Sequence, residues 1–280
     1  METASLSSLS SRGHPPAQEE DRRPKVITAF MYLPNTKYFL LNLEIRNRMG
    51  DLAAVSSLLA EGKFDILNGS FFRGDNGAPG FWQVYVLPLK PATTSDELGK
   101  LLTACPDVLS FEIKESKDGF LVDSLTFPIK LSSGQRAMII RNEIWNSMLQ
   151  KTREKFSSGG DVIIYDQGVT AGRVSGKDLV RELGREKISR QLDQVVAWYQ
   201  SLGWGKASVL SFRPSPLNLV IRMSESAECY GQKSPKPTGH FVRGHIIGVI
   251  EEIFAIEARC IETSCLAMGN DCCQFVIDQR

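Results

Sequence analysis

The sequence predicts an α+β protein of two domains, in which a small βαββαβ domain precedes a mixed α/β domain. The first observation is the order of the elements in residues 38–113, which runs strand, helix, strand, strand, helix, strand. The second is the length of 280 residues, which suits about two domains. The third is the composition, because 42% hydrophobic and 23% charged residues are typical of a globular chain.

The first domain is predicted from residues 24–113. Residues 24–35 are apolar and bounded by prolines, which indicates a short strand or an arm. The alternation in Tyr38–Asn47 predicts the first strand of the sheet, and Asp51 can cap the helix that follows at Leu52–Glu61. The remaining elements are strands at Phe64–Phe72, Phe81–Leu89 and Val108–Ile113 and a helix that begins near Thr94 with a capping-box pattern.

This order of elements is that of a ferredoxin-like, split βαβ domain. Two segments, Asn47–Leu52 and Asp65–Gly69, resemble the ACT domains that regulate amino-acid metabolism. The resemblance implies a domain at residues 24–118 that holds an amino acid at the end of its first strand. Met49 stands where ACT domains usually have a proline, so a packing and dimerisation domain is favoured over one that binds an amino acid. The implied site residues are Asn47, Gly50, Asp51 and Leu52.

The second domain, residues 119–280, is predicted to mix helices with a sheet. An amphipathic helix is expected at Gln135–Phe156 and ends at the Ser157–Gly160 segment. Gly168 and Gly172 predict that one helix passes close to a neighbour. The other predicted elements are a strand at Leu125–Leu131, a short apolar segment at Val162–Tyr165, a mostly helical region at Asp178–Gly203 that breaks at Gly184, strands at Lys206–Phe212 and Leu217–Met223, a helix at His240–Phe254 and a hairpin of Arg259–Cys265 with Gln274–Asp278.

The end of the chain carries the most specific motif. Gly244 and Gly248 lie one helical turn apart, and a pattern of Glu, Cys, Gly, Asp, Cys and Phe follows between residues 262 and 275. This pattern resembles the C-terminal signature of the 4-vinyl-reductase-like domain. The resemblance covers residues 119–280 and implies a fold related to subunits of the tethering particle for transport vesicles.

The same motif contains candidate metal ligands. Five of the six cysteines lie between residues 229 and 273. A turn at Gly269 would bring together Glu262, Cys265 and Cys273, which supply three of the four ligands of a tetrahedral zinc site. In phenol-sensing activators that contain the same domain, a further cysteine comes from the start of the preceding helix, where Gly239 stands here. Cys229 or His240 can complete the zinc site, and the alternative is that these cysteines are buried small hydrophobes.

Five aromatic residues of the second domain are candidates for an apolar ligand pocket. The alternative is that they only fill the core. His245 lies among the core positions of a helix and is interpreted as a core histidine, so no catalytic residue is assigned. The predicted pocket residues are Trp145, Tyr165, Trp198, Trp204 and Phe212.

Charge and hydropathy exclude some classes of partner. Lysine and arginine (33) nearly balance aspartate and glutamate (32), so no overall positive field attracts nucleic acid. Lys151, Arg153 and Lys155 alternate with other residues and are interpreted as a solvated helix face.

No apolar run reaches the roughly 18–20 residues that span a membrane. Residues 1–23 are Ser-rich and then charged, which predicts a disordered tail rather than a secretory signal, and hence a cytoplasmic protein.

Three classes of function fit these features. The favoured one is a sensor that binds a small apolar or aromatic molecule and passes the signal through a protein partner or through oligomerisation, because no output motif is found. The second is an assembly or tethering subunit that uses the fold as an interaction surface. The third is a vinyl reductase, although no G-x-G-x-x-G fingerprint or iron–sulfur spacing provides a nucleotide cofactor or an electron source.

We predict a homodimer, because the open edge of a small sheet needs a partner and two-fold closure is the commonest solution. Light scattering at micromolar concentration is expected to give twice the chain mass of 31.1 kDa. A mass equal to that of one chain would contradict the prediction.

Overall fold

The computed structural model describes residues 24–75 and 77–280, so the predicted disordered tail at residues 1–23 lies outside the described residues. The chain divides into two compact units between Ala137 and Met138, and residues 119–137 belong to the first unit. This division falls later in the chain than the boundary predicted after residue 118.

In the part of the chain that is described, no helix combines the length and the apolar character needed to cross a membrane.

The first unit contains the predicted alternation of strands and helices. Its four-stranded antiparallel sheet has the order β3-β4-β2-β5, so the first and third strands of this sheet lie at its centre. Thr94 forms the predicted capping box with Glu97 at the start of α2. The elements are β1 (Phe30–Tyr32), β2 (Phe39–Ile45), α1 (Asp51–Glu61), β3 (Phe64–Phe72), β4 (Gly80–Pro88), α2 (Ser95–Thr103), β5 (Val108–Glu115) and β6 (Phe120–Val122).

The sheet of the first unit buries both of its faces. One face packs on the two helices, with Leu43 from β2 against Val55 and Leu98. On the opposite face, β1 and β6 form a two-stranded sheet that covers Leu40 and Tyr85 of the larger sheet. The apolar segment at residues 24–35 therefore contributes both a strand and a covering arm.

The second unit has a four-stranded antiparallel sheet of order β7-β8-β10-β9. The helix predicted at His240–Phe254 has these bounds in the structure. The elements are α3 (Asn142–Phe156), α4 (Ser158–Leu183), α5 (Arg185–Arg190), α6 (Leu192–Ser201), β7 (Lys206–Pro214), β8 (Leu217–Ser224), α7 (His240–Phe254), β9 (Ala258–Ser264), a 3-10 turn (Leu266–Met268) and β10 (Cys273–Gln279).

Two predicted elements between residues 125 and 156 differ from the structure. No strand forms at Leu125–Leu131, where Pro128 has no backbone N–H to donate. The predicted helix at Gln135–Phe156 begins only at Asn142. The backbone before it pairs with the preceding segment instead, since Leu131 N–H donates to Gln135 O and Ala137 N–H donates to Ile129 O.

The Ser157–Gly160 segment ends α3 as predicted, but α4 begins at once at Ser158. The apolar segment Val162–Tyr165 therefore lies inside a 26-residue helix. A Cβ atom at Gly160 would lie 2.7 Å from the carbonyl oxygen of Thr152, so the corner between the two helices requires glycine. The predicted break at Gly184 separates α4 from α5.

Helices α4 and α7 pack with their backbones in direct contact. A Cβ at Gly172 would lie 2.2 Å from the carbonyl oxygen of His245, and a Cβ at Gly244 would lie 2.2 Å from that of Tyr165. Gly168 faces Phe241 in the same way. The predicted close approach is therefore the contact between these two helices, and glycines of both contribute to it.

Gly172→Ala is expected to lower the free energy of unfolding by about 1–3 kcal/mol, because the added methyl group overpacks a closed interface. Gly159→Ala on the same helix is the matched control, since its Cβ would meet its nearest neighbour, the Cβ of Phe156, only at 4.0 Å. Alanine should be neutral there or stabilise the helix by up to about 1 kcal/mol. Equal effects of the two substitutions in urea unfolding would contradict this account.

Candidate metal centre and aromatic cluster

Four buried side chains meet at the start of α7: Cys229, Glu262, Cys265 and Cys273. Their ligand atoms all lie within 4.8 Å of one another. The pairing of β9 with β10 places the last three residues together, and Gly269 closes the turn with a φ of +89°. Cys229 comes from the loop before α7. The structure thus brings together all four predicted ligands, whereas His240 lies outside the group, with Nε2 3.3 Å from Asp161 Oδ1.

The geometry of the cluster suits a tetrahedral metal ion. The Sγ atoms of Cys229 and Cys265 are 3.6 Å apart. A regular tetrahedron with zinc–sulfur bonds of about 2.3 Å has edges of roughly 3.8 Å. A disulfide needs sulfur atoms about 2.05 Å apart, and all six cysteines are free thiols.

The electrostatics of the cluster also favour a cation. Burial raises the pKa of Glu262 to about 8, and negative charge on Cys265 adds to this effect. Hydrogen bonds from Cys229 and Cys273 lower the pKa of the Cys265 thiol, whereas hydrogen bonds with Cys229 and Cys265 raise the pKa of Cys273. Without a cation, each negative charge in this buried group therefore opposes ionisation of its neighbours. A divalent cation would favour the ionised form of each ligand.

The carboxylate of Glu262 supports the same interpretation. Its Oε2 accepts a hydrogen bond of 3.0 Å from Gly239 N–H, and its buried Oε1 has no hydrogen-bond partner among the described residues. A Cβ at Gly239 would lie 2.8 Å from Oε2. Glycine at this position therefore leaves room for the carboxylate, and the third sulfur comes from Cys229 in the loop.

A buried ion pair that the sequence did not indicate lies beside this cluster. Arg153 of α3 is not part of the solvated face that its pattern indicates, because its side chain is only 17% exposed and its Nη2 lies 2.9 Å from Glu228 Oε1. The neighbouring Lys151 is exposed, as expected. Helical spacing is the signal that indicates burial, because Arg153 is four residues after Leu149, the buried residue of this helix.

The predicted pocket residues are all half-buried, but they do not all meet. Trp145 and Trp204 contact Phe241, with ring centroids 5.0 and 5.6 Å apart. Trp198 and Trp204 both lie near His245. We call Trp145, Trp198, Tyr199, Trp204, Phe241 and His245 the aromatic cluster.

The other two predicted pocket residues have different ring neighbours. The guanidinium carbon Cζ of Arg243 lies 4.8 Å from the ring centroid of Tyr165. The ring centroids of Phe212 and Phe254 are 5.8 Å apart. Tyr165 and Phe212 both pack against the same hydrophobic core as Trp204. The structure therefore places three of the five residues in the aromatic cluster and the other two elsewhere on the same core.

His245 is the polar centre of the aromatic cluster. Its Nδ1 lies 2.8 Å from the Tyr199 hydroxyl and its Nε2 lies 3.2 Å from Ser175 Oγ. The ring is buried, as predicted for a core histidine, and burial lowers its pKa to about 4. At neutral pH the imidazole is therefore uncharged, with one nitrogen donating a hydrogen bond and the other accepting one.

The residues of the predicted amino-acid site form local bonds in the first unit. The side-chain nitrogen Nδ2 of Asn47 donates to the carbonyl oxygens of Gly74 and Ala78 at 2.6 and 2.8 Å. Asp51 does not cap α1, because Gly50 occupies the N-cap with a φ of +94° and Asp51 accepts from Arg48 N–H at 2.8 Å. A hollow of about 330 Å³ lies beside this site and is lined by Asn47, Arg73, Gly74, Asp75 and Gly77.

The part of the second unit from β8 to β10, which includes α7, matches a known domain family. The model of the 4-vinyl-reductase domain family matches residues 219–279, which confirms the predicted domain for this part of the chain. The uncharacterized protein MJ1642 of Methanocaldococcus jannaschii is 29% identical over 98 residues, which cover 35% of this chain and 58% of that protein. The chain thus spans less than two thirds of this relative.

Two solved structures are similar over about half of the chain. The phenol-responsive sensory domain of the transcription activator PoxR, solved with phenol, has a TM-score of 0.45 at 11% identity. The match covers 52% of this chain and 78% of the PoxR chain. A vinyl-4-reductase family protein from Methanocaldococcus jannaschii has a TM-score of 0.37 at 18% identity. The match covers 51% of this chain and 84% of that protein's chain.

The buried His245 predicts a pH dependence of stability. Its pKa is about 4 in the folded protein and about 6.5 in an unfolded chain. The unfolded state therefore binds more protons between these values, and stability is lost as the pH falls through this window. Relative to His245→Gln, the wild-type protein should lose up to about 3 kcal/mol more between pH 7.5 and pH 4. Identical pH slopes in urea unfolding would contradict the assignment.

Proposed function

We propose that the second unit is a small-molecule sensor domain stabilised by a structural zinc ion. The observation that carries the proposal is the buried group of Cys229, Glu262, Cys265 and Cys273, whose ligand atoms lie within 4.8 Å of one another. Four protein ligands would close the coordination sphere, so zinc would supply folding energy rather than activate water. It would fix the β9–β10 hairpin to the loop before α7.

Protein purified without chelator is expected to contain about one zinc per chain by elemental analysis. Cys265→Ser should reduce the zinc content and the melting temperature, because metal binding at a structural site contributes folding energy. Cys272→Ser is the matched control, since Cys272 lies in the same hairpin but outside the group. A wild-type zinc content well below half an equivalent, with six freely titratable thiols, would exclude the metal site.

The proposed ligand site is the aromatic cluster. Trp145, Trp198 and Trp204 are half-buried, so their rings combine an accessible surface with fixed positions on the core. His245 and Tyr199 add a neutral hydrogen-bonding centre behind them. An aromatic ligand that buries roughly 200 Å² of apolar surface gains about 5 kcal/mol, which supports sub-millimolar binding without a charged anchor. We propose that Tyr165 borders this site, whereas Phe212 lies outside it, because its ring contacts Phe254.

Trp198→Leu and Trp204→Leu are expected to weaken the binding of a small aromatic or lipid-like ligand about tenfold or more, because each removes a wall of the site. A thermal-shift screen of phenols, indoles and fatty acids identifies the probe, and fluorescence titration measures its Kd. Phe212→Leu is the control and should change the Kd least, since its ring contacts Phe254. If no compound stabilises the wild-type protein, this proposal fails. Turnover of a vinyl compound with a supplied reductant would favour the vinyl reductase alternative.

An assembly role is the second candidate, and exposed apolar side chains favour it. Met138, Ile139, Ile144 and Met148 are between 44% and 78% exposed at the start of the second unit. Clustered exposed apolar residues often mark a protein contact. A partner or a second copy bound there would give the sensor the output for which the sequence contains no motif.

For the first unit, we propose a ferredoxin-like, ACT-like domain used for packing and association. Its support is the strand order β3-β4-β2-β5 with both helices against one face. Amino-acid binding is less favoured, because the polar groups of Asn47 and Asp51 are already occupied by bonds within the unit.

A further inference from the structure

We propose that Arg153 of α3 positions the metal ligand Cys229 by fixing both ends of the loop that carries it. This inference rests on the proposed zinc site. Three of the four ligands lie on the β9–β10 hairpin, whose strands are held by backbone pairing. Cys229 lies in the segment of residues 228–238, within the loop between β8 and α7, and has no strand pairing to orient it.

The guanidinium of Arg153 bonds to both ends of this loop. Its Nη2 donates to Glu228 Oε1 at 2.9 Å and to the carbonyl oxygen of Thr238 at 2.9 Å. Its Nε donates to Asp161 Oδ1 at 3.2 Å, which fixes the orientation of the planar group. Glu228 directly precedes Cys229, so a shift of Glu228 moves the ligand.

Glu228 also joins the loop to the first turn of α7. Its buried carboxylate accepts hydrogen bonds from Phe241 N–H at 3.1 Å and from Val242 N–H at 2.9 Å. These two donors would otherwise be unpaired at the helix start. The carboxylate therefore links Arg153, the loop and α7.

At its other end, the loop contacts the ligand sulfurs. Thr238 N–H donates to Cys265 Sγ at 3.5 Å, and the Thr238 hydroxyl donates to Cys229 Sγ at 3.5 Å. Arg153 holds the carbonyl of the same residue. Removing the guanidinium takes one hydrogen bond from each of these two residues and leaves the Glu228 carboxylate buried without its cation, so we expect the loop to rearrange.

The test compares zinc binding by the full chain with Arg153 or Arg173 changed to glutamine. Arg173→Gln is the matched control, because it removes an ion pair with Glu251 that also joins two helices of this unit. Competition with a chromogenic chelator should show about 10- to 100-fold weaker zinc binding for Arg153→Gln, the usual range for residues that orient a metal ligand. Cobalt(II) absorption should change as well, whereas Arg173→Gln should match the wild type in both.

Arg153→Lys and Glu228→Gln keep the inference testable if Arg153→Gln does not fold. Lysine retains the charge but not the forked geometry, so it should bind zinc with an intermediate affinity. If Arg153 acts through Glu228, the effects of Arg153→Lys and Glu228→Gln on zinc affinity should not add. Unchanged zinc affinity and an unchanged cobalt spectrum in folded variants would overturn the inference while leaving the zinc site intact. Failure of the wild-type protein to bind zinc would overturn both.

Discussion

The second unit depends on the backbone contact between α4 and α7. Glycines on both helices leave no room for a methyl group at Gly172 or Gly244, where a Cβ would lie 2.2 Å from a carbonyl oxygen of the other helix. This contact fixes α7 along its first three turns. Because the same turns carry Phe241 and His245 and begin beside Glu262, the helix contact sets the position of both candidate sites.

Buried acidic groups impose a second constraint, since an isolated carboxylate is costly to bury. The structure meets it in two ways at the start of α7. Glu228 receives Arg153 and two backbone N–H groups. Glu262 receives one N–H and lies among three thiols, which supply no positive charge. The two carboxylates both bond to backbone N–H groups at the start of α7 but differ in their other partners, and the proposed zinc ion would supply the positive charge that the second group lacks.

The parts of this structure that can be predicted from the sequence depend on local spacing. The bounds of α7 and the grouping of Glu262, Cys265 and Cys273 follow from residues within a few turns or one hairpin. The predicted strand at Leu125–Leu131 is wrong because its apolar residues suit a strand while Pro128 cannot donate to a ladder. The ion pair of Arg153 is missed because its partner, Glu228, lies 75 residues away in the chain. Tertiary contacts of this kind have no local pattern.

The two candidate sites share one helical turn. Phe241 donates its backbone N–H to Glu228, beside the ligand Cys229, and its ring contacts Trp145 and Trp204 of the aromatic cluster. A ligand that moves the Phe241 ring would therefore also shift the hydrogen bond to Glu228, the residue that precedes Cys229. If zinc changes the affinity for that ligand, the ligand must change the affinity for zinc by the same factor, because coupling between two binding sites is reciprocal. In this unit the route for such coupling is short, since Phe241 belongs to the aromatic cluster and bonds to Glu228, the residue next to Cys229.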